Sequence, residues 1–204
     1  MQRERTTAAR GRGPLLQRDY WAIIDECTLS PRQFGELLRE RFAELAPPGL
    51  VRFARSGGVA RPLEVGDELD VRVRFAGTFG VRVVHADDHS LTLGTLRGHP
   101  ESGRITFGAY RHESGGVIFH IRSRARASST SRLAEWLAVG EPMQTSTWCD
   151  FVARVASLTG RGRRRLRLRR DARVPRRGRR GAPHLPRGGG LSGSLARAPW
   201  LHGG

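Results

Sequence analysis

Apolar and polar residues alternate with a period of two along much of residues 67–126. In the first run, Leu69, Val71 and Val73 alternate with charged residues, which gives the segment one apolar face and one charged face. Four similar runs follow, at residues 81–83, 91–93, 105–109 and 117–121. Gly, Asp and Ser residues, which favour turns, separate these runs. This pattern predicts five consecutive antiparallel strands that present one apolar face to the protein interior.

Further elements lie on both sides of these strands. Residues 20–24 and 50–53 are short apolar runs that predict two more strands. The sequence Ser-Pro-Arg-Gln at residues 30–33 predicts the start of a helix, because it offers a serine cap, a first-turn proline and a glutamine that completes a capping box. Pro-Pro-Gly at residues 47–49 ends that helix, and residues 133–140 fit a second, short helix.

Five apolar residues recur at helical spacing after the strands: Trp148, Phe151, Val152, Val155 and Leu158. They place one apolar stripe on a helix over about residues 144–159. A sheet with one apolar face needs a covering layer, so we expect it to curl around this helix. Trp148 and Phe151 would then pack against the sheet residues Phe75, Phe107 and Phe119. The predicted fold class is α+β, a curved antiparallel sheet of about seven strands wrapped on a long C-terminal helix.

The net charge of +17 is concentrated at the two ends of the chain. Residues 1–18 carry five Arg and one Glu, residues 19–160 carry 17 Arg and 17 acidic residues, and residues 161–204 carry 14 Arg and one Asp. The three segments therefore contribute +4, 0 and +13. The sequence predicts a neutral folded domain at residues 19–160, preceded by a disordered basic N-terminus and followed by a disordered Arg/Gly/Pro-rich tail.

Three interpretations of residues 161–204 are open. The segment is a disordered tail, a segment that binds nucleic acid through phosphate contacts, or the product of a GC-rich gene that is read out of frame. The absence of lysine from the whole chain fits a GC-rich gene. Trp200 is the one aromatic residue of the tail that could stack on a base, so we favour the disordered or out-of-frame interpretation over a dedicated binding segment. A nucleic-acid partner is expected only through this tail.

The sequence offers few signals for other classes of protein. Cys27 and Cys149 do not form a disulfide framework, and the N-terminus lacks the apolar core of a secretory signal. No run approaches the ~20 apolar residues of a membrane span. The seven histidines show no metal-ligand spacing, and the glycine pairs lack the strand-to-helix context of a phosphate loop. We expect a cytoplasmic protein without metal or cofactor.

The order of these elements, the Ser-Pro-x-Gln helix start and the late amphipathic helix resemble the helix-grip superfamily, also called SRPBCC, START-like or Bet v 1-like. The resemblance covers about residues 19–160. Within it, the sequence Gly-Thr-Leu-Arg-Gly-His-Pro-Glu-Ser-Gly at residues 94–103 is similar to a motif of uncharacterised bacterial and plant domains of unknown function. The resemblance implies a cavity between the sheet and the last helix, in which relatives bind small hydrophobic or amphipathic molecules and some catalyse cyclisation.

The inward positions of the predicted strands and of the last helix are the candidate cavity lining: Val71, Val73, Phe75, Val83, Leu93, Phe107, Phe119, Ile121, Trp148, Phe151 and Val155. Two arrangements fit these side chains equally well. They either fill the interior and give a solid core, or they line a pocket of about 300–1,000 Å³. The expected partner in the second arrangement is a small apolar or amphipathic molecule.

Three polar residues are candidates for catalysis in such a cavity: His99, Glu101 and His85. His99 can exchange a proton near neutral pH, Glu101 can orient it, and His85 falls on the inward phase of its strand. The alternative is structural, with residues 98–103 forming a wide hairpin turn in which Glu101 pairs with a surface arginine. We favour the structural interpretation, and therefore a binding protein over a cyclase-like or hydrolase-like enzyme.

Overall fold

The computed structural model describes residues 3–57, 61–129 and 141–172. Within these ranges the chain forms a short 3-10 turn at Ala8–Arg10, eight strands and two α-helices. Their order is β1 (Arg12–Cys27), α1 (Pro31–Leu45), β2 (Val51–Arg55), β3 (Glu68–Val73), β4 (Gly77–Ala86), β5 (Ser90–Thr95), β6 (Glu101–Arg111), β7 (Val117–Ala127), α2 (Glu141–Thr159) and β8 (Gly160–Ala172).

All eight strands belong to one antiparallel sheet, in the order β2-β3-β4-β5-β6-β7-β1-β8. Strands β2 to β7 pair with their neighbours along the chain, and β1 joins them beyond β7, with Tyr20 opposite Ile121. The sheet curves and carries the helices on its concave side. The predicted fold class is therefore confirmed, with β8 as an additional eighth strand.

Helix α1 begins with the capping box that the sequence predicts. The backbone N–H of Gln33 donates to Ser30 Oγ at 3.3 Å, and the backbone N–H of Ser30 donates to Gln33 Oε1 at 2.9 Å. The buried side of this helix carries Phe34, Leu38 and Phe42. Because these side chains point into the concave sheet, α1 contributes directly to the core beside α2.

Aromatic rings from both helices and from the sheet meet in the centre of the protein. The Phe151 ring of α2 lies 5.3 Å from that of Phe107, 5.6 Å from that of Phe42 and 6.2 Å from that of Phe119, measured between centroids. Trp148 lies 5.6 Å from Phe107. Burying each such ring contributes about 1.5–3 kcal/mol, so this cluster fixes α2 on the sheet. The predicted packing of Trp148 and Phe151 against Phe107 is confirmed.

Two residues expected in this interior lie on the surface. Phe75 is 91% exposed, because β3 ends at Val73 and Phe75 falls in the following turn with a φ of 65°. Leu158 is 62% exposed, whereas Val155 and Thr159 are buried. At 100° per residue, the centre of the buried face of α2 lies roughly 90° from Leu158. The expected packing of Phe75 against Trp148 and Phe151 and the expected burial of Leu158 are therefore wrong.

The N-terminal segment is ordered where the composition predicts disorder. The Arg3 guanidinium pairs with Glu68 and with Asp70, at 2.8 Å each, on the outer face of the sheet. The backbone N–H of Thr6 donates to the carbonyl of Thr95 at 2.9 Å, and β1 already begins at Arg12. Residues 3–18, for which disorder is expected, therefore contact the sheet in this structure, through Arg3, Thr6 and the start of β1.

The chain also continues into the sheet after α2. Strand β8 pairs antiparallel with β1, with Ile23 opposite Arg165, so the boundary expected after residue 160 coincides with the start of a strand. The remaining expectations for the tail concern residues 173–204, which lie outside the described residues, and the short helix expected at residues 133–140 lies outside them too.

Truncating the central ring should strongly destabilise the protein. Phe151→Ala removes a fully buried side chain that connects α2 to α1 and to the sheet. We therefore expect the free energy of unfolding to fall by about 3–5 kcal/mol. The matched control is Leu158→Ala on the same helix, with an expected change within about 0.5 kcal/mol because this side chain is exposed. Urea unfolding followed by circular dichroism measures both, and equal losses would contradict the packing described above.

Candidate functional site

Large inward side chains give way to smaller ones towards one end of the concave sheet. In β6 and β7 the cross-strand pair Phe107–Ile121 is followed by the pair Ile105–Ser123, and Ala125 comes next on the inward side of β7. Phe107 and Ile121 are fully buried in the aromatic core, which α1 completes. Beyond them the small side chains of Ser123 and Ala125 leave space, so only one end of the concave side is filled.

The other end encloses a cavity of about 560 Å³. One wall consists of strands β2 to β7, and the opposite wall is the first half of α2. The apolar part of the lining includes Phe53, Val71, Phe79, Leu93, Ile105 and Trp148. Polar side chains of the lining, among them His99, Glu101 and Gln144, give the cavity a mixed character.

A buried ion pair lies beside the cavity. Arg18 of β1 is 2% exposed and Glu101 at the start of β6 is 6% exposed, with 3.8 Å between Arg18 Nη1 and Glu101 Oε1. The same Nη1 donates a hydrogen bond to Gln144 Oε1 of α2 at 3.3 Å. Glu101 was expected to pair with a surface arginine, and its partner is instead a buried one. Removing either partner of such a pair leaves an uncompensated charge in a low-dielectric interior.

His99 lies on the cavity wall as a neutral imidazole. Burial lowers the pKa of His99 to about 4, so the ring carries no charge at neutral pH. Its Nδ1 accepts a hydrogen bond from the backbone N–H of Glu101 at 3.0 Å, which assigns the ring proton to Nε2. Within the described residues Nε2 forms no hydrogen bond. The Nε2–H group is therefore a donor that a bound molecule can use.

The turn that carries His99 and Glu101 depends on two glycines and a threonine. Gly98 has a φ of +94°, a conformation that side chains disfavour. A Cβ on Gly103 would lie 2.2 Å from the carbonyl oxygen of Arg124, so any side chain there would force β6 and β7 apart. The backbone N–H of Gly103 donates to Thr95 Oγ1 at 3.0 Å and closes the turn. These contacts agree with the structural interpretation of the motif, while placing His99 and Glu101 on the cavity wall.

The two arrangements considered for the interior occur at opposite ends of the same sheet. Five of the eleven predicted lining residues lie on the cavity wall: Val71, Val73, Phe75, Leu93 and Trp148. The other six belong to the solid core and do not line the cavity: Val83, Phe107, Phe119, Ile121, Phe151 and Val155. Alternation of apolar residues identifies the inward face, but it does not distinguish these two ends.

The sequence prediction missed several residues of the site. Ser123, Ala125 and Thr95 occupy inward positions on the cavity wall, and the drop in side-chain size at the ends of their strands was the available signal. Arg18 was missed because it lay in the segment expected to be disordered. Its inward phase with Tyr20 on β1 was the corresponding signal.

His85 does not belong to the site, contrary to its predicted inward phase. It is exposed, and its Nε2 lies 2.8 Å from Asp87 Oδ2. The pairing of β4 with β5 shifts between Val83 and His85, which leaves Val84 as an extra residue in β4. Such a bulge reverses the phase of every following side chain, and this turns His85 outward.

Other candidate chemistry finds no support in the geometry. Cys149 lies well inside α2, which begins at Glu141, and burial raises the pKa of its thiol, so it is not an activated nucleophile. Across residues 3–57, 61–129 and 141–172, no three His, Cys, Asp or Glu side chains group as metal ligands would. Nor does either helix of the described chain have the length and apolar character needed to cross a membrane.

Comparison with known proteins identifies a family but not an activity. A family model described as "Domain of unknown function (DUF1990)" matches residues 44–156, which is more than half of the chain. This range contains β2 to β7 and most of α2, and therefore nearly all of the cavity wall. A search of curated protein sequences finds no significant match.

Solved structures with the same fold are distant in sequence. The chain is similar to the ginseng major latex-like protein 151 from Panax ginseng, with 14% identity, a TM-score of 0.51 and coverage of 72% of this chain and 99% of that one. It is also similar to the di-domain ARO/CYC StfQ from the steffimycin biosynthetic pathway, with 10% identity, a TM-score of 0.52 and coverage of 72% and 51%. At these identities the similarity establishes the helix-grip fold alone.

Acidification should destabilise the protein through His99. The pKa of His99 is about 4 in the folded protein and about 6.5 in an unfolded chain, so the unfolded state binds the proton first as the pH falls. The stability associated with this neutral ring is complete above about pH 6.5 and is lost towards pH 4, with a total of about 1–3 kcal/mol.

Urea unfolding of the wild type and of His99→Asn between about pH 7.5 and pH 4.5 measures this dependence. The variant should be less stable at neutral pH, and its difference from the wild type should shrink as the pH falls. Burial also lowers the pKa of His120, but that residue is common to both proteins and cancels in the difference. A constant difference across the pH range would contradict the buried neutral state of His99.

Proposed function

The chain belongs to the DUF1990 family of domains, and from this premise we propose that it binds a small hydrophobic or amphipathic molecule in the cavity between the sheet and α2. The cavity itself is the observation that carries the proposal. Its volume of about 560 Å³ falls within the range of about 300–1,000 Å³ in which proteins enclose small ligands.

The distribution of polar groups supports a ligand with one polar end. Val71, Leu93 and Ile105 offer an apolar surface that excludes water from a hydrocarbon or ring system. At the Glu101 end of β6, the Nε2–H of His99 offers a hydrogen-bond donor. The Arg18–Glu101 pair beside it offers one positively and one negatively charged group. An amphipathic molecule would satisfy both regions when its apolar part lies against the strands and its polar group lies beside His99.

A cyclase-like enzyme is the second candidate, because His99 and Glu101 converge on one end of the cavity. Two features weigh against it. A histidine with a pKa of about 4 is a weak base at neutral pH, and Glu101 already faces the Arg18 guanidinium. The site therefore supports binding better than proton transfer.

Binding can be tested with a fluorescent fatty acid, dansyl-undecanoic acid. Ile105→Trp places a larger side chain on the cavity wall, so we expect the affinity for this probe to fall at least about tenfold because the apolar volume is occupied. Fluorescence titration with the purified protein measures the affinity, and native mass spectrometry of the wild type identifies any molecule that co-purifies.

The matched control is Ile23→Trp. Ile23 is half-buried as Ile105 is, but it alternates with the inward residues Ala22 and Ile24 and therefore lies on the other face of the sheet. This variant should bind the probe like the wild type. Equal affinities of both variants and the wild type would place the probe elsewhere and contradict the proposal. A co-purified molecule that changes mass during incubation with the wild type, but not with His99→Asn, would favour the enzyme.

A further inference from the structure

The hairpin between β3 and β4 exposes an aromatic ring at the edge of the cavity. Phe75 is 91% exposed and has a φ of 65°, and the backbone N–H of Ala76 closes the turn by donating to the carbonyl of Val73 at 3.1 Å. A bulky residue with positive φ is strained, and glycine normally occupies such a turn position. Apart from the Arg74 guanidinium, 4.7 Å from the ring centre, no ring contact holds Phe75 in place within the described chain. Phe75 thus occupies a position where the positive φ disfavours any bulky residue and the exposure to water disfavours an apolar one.

Arginines without acidic partners in the described chain lie on the two strands that lead to this hairpin and at its tip. Arg52 of β2 lies directly opposite Arg72 of β3, and Arg74 follows at the tip of the hairpin. Like charges opposite each other on neighbouring strands destabilise a sheet. All three side chains are exposed, and none forms an ion pair in the part of the chain that the structure describes.

The contrast with neighbouring arginines shows that acidic partners occur close by. Arg55 of β2 pairs with Asp67 at 2.9 Å, and Arg82 of β4 pairs with Glu68 at 2.6 Å. From residue 71 to residue 81, however, the sequence contains Arg72 and Arg74 and no Asp or Glu. Within the described residues, the end of the sheet around the hairpin therefore carries positive charge without an acidic neighbour, and such a surface attracts negatively charged partners.

The position of this surface relative to the cavity decides between anionic partners. Phe75 and Ala76 belong to the cavity wall and are exposed to solvent, so they mark its opening. A nucleic acid bound there would place phosphates and sugars over an apolar opening and would find one ring for stacking. A lipid bilayer offers phosphates to the arginines and an apolar layer to Phe75 and to the opening.

We propose that Arg52, Arg72, Arg74 and Phe75, together called the rim patch, dock the protein on the surface of an anionic lipid bilayer. Phe75 enters the headgroup layer, the arginines contact lipid phosphates, and the cavity opens towards the lipid. Each arginine near an anionic surface increases the affinity about fivefold, and one inserted ring adds a modest factor, so docking is reversible and sensitive to salt. The proposal does not require the ligand of the cavity to be a lipid.

Vesicle flotation with the full chain tests the rim patch. The vesicles contain phosphatidylcholine alone or with about 30% phosphatidylserine, at about 0.15 M salt. We expect Arg72→Glu to weaken binding to the anionic vesicles at least fivefold. Residues 161–204, with 14 Arg, also attract anionic lipid, so the control must change the net charge equally. Arg111→Glu does so at the far end of β6, where Arg111 is exposed, and should weaken binding less than twofold.

A second matched pair isolates the aromatic contribution without changing the charge. Phe75→Ala should weaken binding to anionic vesicles about fivefold, whereas Leu158→Ala, an exposed apolar residue on α2, should leave it unchanged. Thermal unfolding confirms that the variants fold, and Phe75→Gly should unfold at the same or a higher temperature because glycine accepts the positive φ.

Two results would overturn the proposal. Equal weakening by Arg72→Glu and Arg111→Glu, with no effect of Phe75→Ala, would assign vesicle binding to overall charge and the tail. If Arg72→Glu instead weakens binding to a DNA duplex while vesicle binding is unaffected, the rim patch contacts nucleic acid and not lipid. Both titrations use the same proteins at the same salt concentration, so the two partners are compared directly.

Discussion

The anchoring of α2 by the Phe151 ring determines where this protein is solid and where it is hollow. Phe151 is held between Phe107 and Phe119 of the sheet and Phe42 of α1, so the second half of α2 lies against large side chains. A helix is stiff, and the seven residues from Phe151 back to Gln144 extend about 10 Å from that anchor. Beneath the first half of α2 the sheet presents small residues such as Ser123, whose side chains are too short to reach the helix. The cavity follows from a rigid helix spanning side chains of unequal size.

The Arg18–Glu101 pair beside this cavity is difficult to explain as a source of stability. Desolvating a guanidinium and a carboxylate costs several kcal/mol per ion, and this cost can exceed the attraction between the two groups. Well-packed apolar residues of similar volume stabilise a protein interior equally well or better. The pair also spans β1 and β6, and it reaches α2 through Gln144, so it sets polar groups from three elements at one end of the cavity. Such an arrangement is of use when a polar part of a ligand binds there.

The periodicity of the sequence predicted the sheet and the covering helix, because burial of one face imposes these patterns directly, and the capping-box residues predicted the start of α1 at Ser30. It failed at His85 and Phe75 for related reasons: a bulge at Val84 and a positive φ at Phe75 both break the strict alternation on which phase arguments depend. The order of the N-terminal segment escaped prediction because it rests on Arg3 meeting Glu68 and Asp70, more than 60 positions away in sequence. Division of the inward face into core and cavity escaped it because both ends obey the same alternation.

Charged residues on the outer face of the sheet are paired in one region, and in another the arginines lack acidic partners within the described chain. Near Asp19, Glu68 and Asp70, every acidic side chain receives an arginine or histidine: Arg122 and His120 contact Asp19, and Arg3 contacts the other two. Around Phe75 the arginines receive no such partner within the described chain. Within the described residues, the turn of Phe75 at the cavity opening therefore combines repulsion between neighbouring arginines with a positive φ. An acidic residue would relieve the repulsion and a glycine would relieve the strain, so both features support the proposed contact of this turn with a partner outside the protein.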